Sequence, residues 1–416
     1  MKNIVIIGGG ASGLLASIVI KKDLTDEVNV TIVERLDRIG KKILATGNGR
    51  CNFSNELLSS QKYNNPEFVR FLFKRFGYTE TVNFFEDLGL ISKVLVEGRT
   101  YPVTESAASL LDVMRQEVVR LGIKVEVSTE VKKIKQVDNK YYLECDEKTI
   151  EADYVVLATG GKASPALGSN GSGYNLLKNY KININKPLPG LVGLKVENSG
   201  FKSLDGLRTK GILSILDKKT KMVYWKEAGE IQFKSDGISG IVTMHAATYL
   251  NRRNDGFNKY LLRLDVLPDM NEESLMTYLL HKQSLCIDET IEHLFTGLLN
   301  KVFGQKIIKD NKFELTMFIK DLTKKDFEKM IKSIKNFEVN IKDTYDFDKA
   351  QVTIGGVDVK EVKKETLELF KLPRVYVTGE LLDIDGECGG YNLQWAWTSG
   401  YIAGVDIVKK VKEEVC

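Results

Sequence analysis

Apolar and polar positions follow different rhythms along this chain, and the changes of rhythm divide it. Residues 3–7 are an unbroken β-branched run ending at glycine, the pattern of a strand buried on both faces of a parallel sheet. The next stretch, ASGLLASIVIKK, is compatible with a helix, and after a polar turn residues 28–33 (VNVTIV) read as a second strand. Residues 67–90 and 106–121 carry apolar side chains at helical spacing and predict two amphipathic helices. Strands are predicted at 124–127, 131–137, 141–145 and 153–157, with charged turns between them. Beyond residue 187 the character changes. Prolines at 187 and 189 precede candidate strands at 191–196 and 211–216, which predict a β-barrel insertion. Between 271 and 336, segments such as SLMTYLLHKQ, TIEHLFTGLLNKVF and KKDFEKMIKSI predict a small helical insertion. The fold class expected is α/β with an inserted β-barrel and a small α-helical domain.

Composition narrows the classes. With 416 residues, 43% apolar and 28% charged, the chain has material for two or three packed domains and is too polar for a membrane protein. No apolar run approaches the roughly 18 to 20 residues that cross a bilayer. Three successive glycines interrupt the N-terminal apolar stretch, and no cleavage signature follows. Sixty Lys and Arg against 56 Asp and Glu leave a net charge of +4, and the basic residues are scattered, so nucleic acid is not an expected partner. Five cysteines, at 51, 145, 286, 388 and 416, form no C-x-x-C and have no histidine at metal-ligand spacing. They read as cytosolic thiols, and no metal site is expected. A soluble, cytoplasmic protein with a small-molecule substrate and no membrane partner is the expectation.

The turn between the first strand and helix spells Gly8-Gly9-Gly10-Ala11-Ser12-Gly13, so glycines occupy the first, third and sixth positions of G-x-G-x-x-G. Gly8 permits the tight turn, Gly10 lets backbone approach a pyrophosphate, and Gly13 lets helix and strand pack closely. Glu34 closes the second strand about 20 residues on, where an acid accepts hydrogen bonds from ribose hydroxyls and repels a 2′-phosphate. FAD or NAD therefore fits better than NADP. Gly8, Gly10, Ala11, Ser12, Gly13, Glu34 and Arg35 are the candidate contacts at this end. The segment 38–52 that follows is dense in glycine and hydrogen-bond donors, unlike a plain dehydrogenase.

Residues 40–52 resemble the G-K-K-x-L-A-T-G-x-G-R-C-N signature of the BaiN-type (YhiN-like) bacterial FAD-dependent oxidoreductases. The segment 383–400 matches that family's D-G-x-[CT]-G-G-Y-N-L-Q-W-A-W-x-S-G almost letter for letter. The resemblance implies a glutathione-reductase-like, three-layer FAD-binding Rossmann-type domain from 1–189 and 350–416. It also implies a barrel from 190–264 and 337–349, and a helical insertion at 265–336. The strands from 124 to 157 are then read as the three-stranded insertion of two-dinucleotide flavoproteins. FAD contacts implied in this way are Lys42, Ala45, Thr46, Gly47, Arg50 and Asn52 in the first loop, and the Val131 backbone at adenine. Ala158, Thr159, Gly160 and Gly161 follow from an A-T-G-G turn, and Gly379 and Glu380 from a strand-end acid facing the ribityl chain. Gly389, Gly390, Asn392 and Leu393 are implied at the pyrimidine edge of the flavin, where a helix N-terminus meets the charge that collects on reduction.

Residues 350–357 resemble the family's A-x-V-T-x-G-G-V, and 97–102 its short loop before a helix; that loop reads as a plain connection, with Arg99 and Tyr101 as candidates for a place near substrate. One element departs. Where the family has F-T-H-x-G-[IL]-S-G-P, this chain carries Lys234, Ser235 and Ile241 in place of the threonine, histidine and proline. It cannot use that histidine, and His245 reads as structural. Cys51 reads as a packing residue. Catalytic residues are otherwise unassigned, with Cys388 as the one candidate. The implied chemistry is hydride transfer through flavin N5, with NAD(P)H as possible co-substrate although no second G-x-G-x-x-G occurs, to an apolar enone-like compound. An oxidase of an amine or ketone, a Cys51–Cys388 thiol oxidoreductase and a flavin-containing RNA-modifying or regulatory protein are the alternatives.

Overall fold

The computed structural model describes residues 1–197 and 200–415, so Cys416 lies outside the described residues. The chain forms two compact units, residues 1–190 with 347–416, and residues 191–346.

Among the described residues of the first unit, a five-stranded parallel sheet runs in the order Val375–Val377, Tyr154–Leu157, Lys2–Ile7, Val28–Val33, Lys124–Glu126. Lys2–Ile7 lies in its centre, and successive side chains point to opposite faces. Ile4 and Ile6 pack with Leu14, Leu15 and Ile18 of the helix Ala11–Leu24. Val5 and Ile7 pack on the other face with Leu177, Val377 and Leu382. Both faces are dry, which is why the run shows no alternation. The second face also takes Ile134, Tyr141, Leu143 and Ala152 from an antiparallel sheet, Val131–Val137, Lys140–Cys145 and Thr149–Ala152. The unit is thus three-layered.

Three expectations are corrected here. The strand at 124–127 belongs to the parallel sheet, paired with Val28–Val33, and Tyr154–Leu157 is an inner strand of the same sheet. The third strand of the antiparallel layer is Thr149–Ala152, inside an expected charged turn, its four residues being too few for alternation to predict a strand. The span 67–90 is two helices, Pro66–Phe73 and Tyr78–Asp87, broken at Gly77, whose N–H donates to the Glu80 carboxylate at 2.8 Å.

The C-terminal helix Tyr391–Val415 lies against Ala11–Leu24. A Cβ on Gly400 would strike the Ser12 carbonyl, and one on Gly404 would stand 3.1 Å from the Val19 side chain, so two glycines four apart let the axes approach. Both tryptophans of the helix are buried with their indole N–H groups satisfied, Trp395 on the Gly379 carbonyl and Trp397 on the Phe53 carbonyl, each at 3.0 Å.

In the second unit, six strands among the described residues close an antiparallel barrel: Leu194–Val196, Gly237–Ser239, Val223–Lys234, Arg208–Asp217, Tyr260–Asp265 and Phe337–Thr344. The strand expected at 191–196 starts at Leu194, and the one expected at 211–216 is longer at both ends. Helices Glu272–Leu285 and Lys324–Lys335 follow the expected pattern, and Lys301–Asp310 is a third. TIEHLFTGLLNKVF, however, is not one helix. Gly297 turns the chain at φ +87°, and the Asn300 side chain accepts from Val302 N–H at 3.0 Å, so the helix begins only at Lys301. Ile241–Arg253 is a further helix. No helix among the described residues is long and apolar enough to cross a membrane.

Candidate functional site

The first unit brings three loops to the ends of its strands. At the first, Gly8 has φ +108°, and a Cβ there would strike the Ala158 carbonyl; one on Gly13 would strike the Gly8 carbonyl and stand 3.1 Å from the Ala158 side chain. Turn, helix and neighbouring strand are therefore in contact through glycine. Gly10 is different: no atom lies within 4 Å of the Cβ position, and the helix beginning at Ala11 has no side-chain cap. Open space lies in front of unsatisfied amides and a positive dipole end, the arrangement that receives phosphate. Glu34 is buried beside it, with Oε2 accepting from Gly9 N–H and Oε1 from Leu36 N–H, both at 2.9 Å. Its main-chain carbonyl accepts from Thr129 N–H at 2.9 Å, which carries Val131 to the same edge. Arg35 holds the far wall through the carbonyls of Gly168 (3.0 Å) and Pro165 (2.9 Å).

The second loop is organised by Glu380. Its Oε1 accepts from Thr353 N–H at 2.9 Å and from the Thr353 hydroxyl at 2.6 Å, while Oε2 accepts from Lys42 Nζ at 3.1 Å. Thr353 Oγ1 in turn accepts from the N–H groups of Lys162 (2.8 Å) and Ala163 (3.0 Å). A Cβ on Gly161 would stand 2.8 Å from Glu380 Oε1, so this glycine admits the carboxylate. Thr159 faces Gly173, and Gly160 turns at φ +71°. Gly379 N–H donates to Ser399 Oγ at 2.8 Å, and Thr378 Oγ1 donates to Ser12 Oγ at 3.1 Å, joining this loop to the start of the first helix. Thr353 and Ser399 were not among the expected site residues; Thr353 stands in the A-x-V-T-x-G-G-V segment, where a hydroxyl in an otherwise apolar run was the available signal.

The third loop faces the C-terminal helix. Gly389 and Gly390 have φ +129° and +96°, and a Cβ on Gly390 would stand 2.6 Å from the Ser54 carbonyl carbon and 2.9 Å from Asn52 Oδ1. The Asn392 side chain closes its own turn, accepting from Gly386 N–H at 2.9 Å and donating to the Gly386 carbonyl at 2.8 Å. Leu393 packs into the core beside the first helix. Buried Gln394, another residue not expected, joins Ser54 Oγ (2.6 Å), Thr81 Oγ1 (2.7 Å) and Thr398 Oγ1 (3.1 Å), and so fixes the wall opposite Gly390. Ala45, Thr46 and Gly47 lead into this wall, and the Cys51 N–H donates to the Thr46 carbonyl at 3.0 Å. Arg50 pairs with Glu105 at 2.9 Å and lies 5.1 Å from the Tyr101 ring centre. Burial pushes the Cys51 thiol up to about 12, which suits a packing residue and not a nucleophile. Cys388 sits half-buried in the third loop.

Three features fit FAD. Gly10 leaves room at a helix N-terminus, two helices of 14 and 25 residues begin at the glycine loops, and Asn52 Oδ1 is buried at the third loop without a hydrogen-bond donor among the described residues. An isoalloxazine pyrimidine edge offers an N–H between two carbonyls, the complement of an orphan acceptor beside helix-terminal amides.

The family model described as HI0933-like protein Rossmann domain matches residues 2–406. The 3-dehydro-bile acid delta(4,6)-reductase of Clostridium scindens is 37% identical over 406 residues, covering 97% of this chain and 98% of that protein. The ribosomal RNA dihydrouridine synthase of Escherichia coli is 24% identical over 408 residues, covering 97% of each. Among solved structures, the 3-ketosteroid-delta4-(5alpha)-dehydrogenase of Rhodococcus jostii RHA1 aligns with a TM-score of 0.49 at 14% identity, over 98% of this chain and 97% of that one.

Proposed function

The chain belongs to the HI0933-like family of Rossmann-domain proteins, and from that premise we propose that this FAD-dependent oxidoreductase is an NAD(P)H-linked reductase of an apolar, enone-like small molecule. The observation that carries the reading is the 37% identity, over nearly all of both chains, to a relative whose name describes reduction of double bonds conjugated to a ketone. Bound FAD supplies an N5 able to accept and release hydride. The chain's residues supply binding and orientation. Gly8, Gly10 and Gly13 with the first helix hold the pyrophosphate, and Glu34 holds the ribose. Glu380, fixed by Thr353 and Lys42, borders the ribityl chain, and Asn52 with the amides after Gly389 receives the pyrimidine edge.

The 24% identity to a ribosomal RNA dihydrouridine synthase favours a second reading, an RNA-modifying enzyme. The two chemistries are alike, because uracil also carries a carbon–carbon double bond conjugated to a carbonyl. The readings differ in the size and charge of what is bound. Anaerobic mixing of the purified yellow protein with NADH, and separately with NADPH, tests the first. Fast bleaching followed by reoxidation with a Δ4-3-ketosteroid supports it. Bleaching by neither nucleotide overturns the NAD(P)H-linked proposal. Reoxidation only by ribosomal RNA, with affinity that falls steeply with salt, establishes the second.

A further inference from the structure

A small antiparallel sheet beside the third loop contains a cation that the site described so far does not use. Arg99–Pro102 is its central strand, flanked by Ser54–Asn55 and Ser92–Val94. Asn55 stands opposite Arg99, and its side-chain amide donates both to the Glu97 carbonyl at 3.1 Å and to the Gly389 carbonyl at 2.9 Å. One side chain therefore ties the Arg99 loop directly to the Gly389–Gly390 turn. A Cβ on Gly389 would stand 3.1 Å from the Tyr391 ring, and the phenol of Tyr391, raised chiefly by burial, also feels the charges of Glu97 and Arg99. The strand that carries Arg99 thus lies beside the turn at which the pyrimidine edge is proposed to sit.

Two features of this loop are costly for a plain connection. Glu97 holds a left-handed backbone at φ +61°, uncommon for a side chain of its size. The Arg99 terminal nitrogen is taken by the Glu97 carboxylate, but its Nε–H is buried and has no acceptor among the described residues. The surroundings are apolar and exposed, with Leu57 at 64% and Val96 at 82% relative exposure, and Leu95 beside them. A donor without an acceptor among the described residues, on a loop that also exposes apolar side chains, suits a molecule with an apolar body and one carbonyl.

We propose that Arg99 donates to the carbonyl oxygen of the substrate and that Leu57, Leu95 and Val96 meet its apolar body. This rests on the enone-reductase reading above. When hydride adds at the β carbon, the π pair moves onto the carbonyl oxygen; a proton from solvent then reaches the α carbon and the carbonyl re-forms. Charge develops on that oxygen and is greatest in the transition state, where a charged donor placed against it acts most strongly. Glu97 holds the guanidinium plane and leaves Nε–H as the free donor.

The test uses the FAD-loaded full chain and 4-nitrophenol, whose phenolate is a planar oxyanion resembling the enolate, followed by its perturbation of the flavin spectrum. Arg99→Gln is expected to weaken phenolate binding by roughly 100-fold, with FAD content, thermal midpoint and flavin reduction potential unchanged. Arg99→Lys is expected to recover part of the affinity, and kcat on a Δ4-3-ketosteroid is expected to fall more than KM rises. Phenolate affinity unchanged in Arg99→Gln overturns the assignment alone. A shifted potential with unchanged phenolate affinity overturns it too, showing that Arg99 acts on the cofactor. A wild-type protein that binds no phenolate and reduces no enone overturns the enone reading and the assignment with it.

Discussion

Two glycine turns open two long helices of the first unit, and they are finished by different means. At Gly8–Gly13 main chain does most of the building: Gly9 N–H is taken by Glu34, Gly8 and Gly13 close on Ala158, and open space is left in front of Gly10 and the uncapped first amides of the helix. At Gly389–Gly390 side chains build the wall. Asn55 takes the Gly389 carbonyl, Asn392 closes the turn, Gln394 holds Ser54, and Asn52 Oδ1 is left without a donor among the described residues. A repeating, highly charged pyrophosphate needs amides and room. A ring with an ordered edge of donors and acceptors needs side chains placed one by one. On the proposed placement of FAD, the first turn is a general device and the second carries what is particular to the chemistry.

Substitution separates the two. Gly390→Val should have the largest effect, because φ +96° is denied to a branched residue and the new side chain meets the Ser54 carbonyl. We expect a loss of about 3 kcal/mol or more in urea unfolding, together with colourless protein. A yellow, stable Gly390→Val would show that the wall at Ser54 yields. Gly10→Ala should behave in the opposite way. Gly10 is at φ −86° with nothing within 4 Å of its Cβ, so the fold should change by less than about 0.5 kcal/mol. On the proposed placement of the pyrophosphate at this turn the methyl would stand in its way, and FAD affinity should fall by roughly 10- to 100-fold. Unchanged FAD binding in an intact Gly10→Ala protein would remove the pyrophosphate from this turn.

Glu34→Gln should be milder. The amide keeps one acceptor, and its NH2 group must face the N–H of either Gly9 or Leu36, both of which the carboxylate now satisfies. We expect a cost of about 1–2 kcal/mol in the apoprotein and an FAD affinity lower by about tenfold. Equal FAD affinity in wild type and variant would mean that the ribose is held elsewhere.

The two turns were also unequally legible. The strand, the glycines, the helix and the acid at Glu34 lie within one stretch of sequence, and each has a local signature. The motif at 383–400 was visible as a pattern, but its supports come from far away, Asn52 from the 40–52 segment, Asn55 from a short strand and Thr81 from a helix, as do Thr353 and Lys42, which hold Glu380. Long-range pairing was hidden in the same way. Nothing in Lys124–Glu126 itself says that its partner is Val28–Val33, and Thr149–Ala152 is too short for its alternation to stand out. Helix breaks were missed where one residue decides them, at Gly77 and at Asn300. The departure at Lys234 and Ser235 was plain in the sequence. Arg99 was legible only as a candidate near substrate; what singles it out, a buried Nε without an acceptor among the described residues and Asn55 bridging to Gly389, is long-range.

The smallest effect should come from Lys62→Met. Lys62 Nζ pairs with Glu387 at 2.7 Å across the base of the second turn, yet both side chains are more than a third exposed, at 45% and 40%. Such a pair contributes about 0.5 kcal/mol or less and is screened by salt. The same two residues are also joined by a backbone bond, Glu387 N–H to the Lys62 carbonyl at 3.0 Å, which the substitution leaves in place. We expect FAD content, the unfolding midpoint and its salt dependence to stay close to wild type. If instead Lys62→Met loses flavin, the second turn depends on its exposed charges as well as on its buried amides. The division between a backbone-built and a side-chain-built turn would then extend to the surface, because the ion pair would be holding Gly389 and Gly390 in register with Asn52.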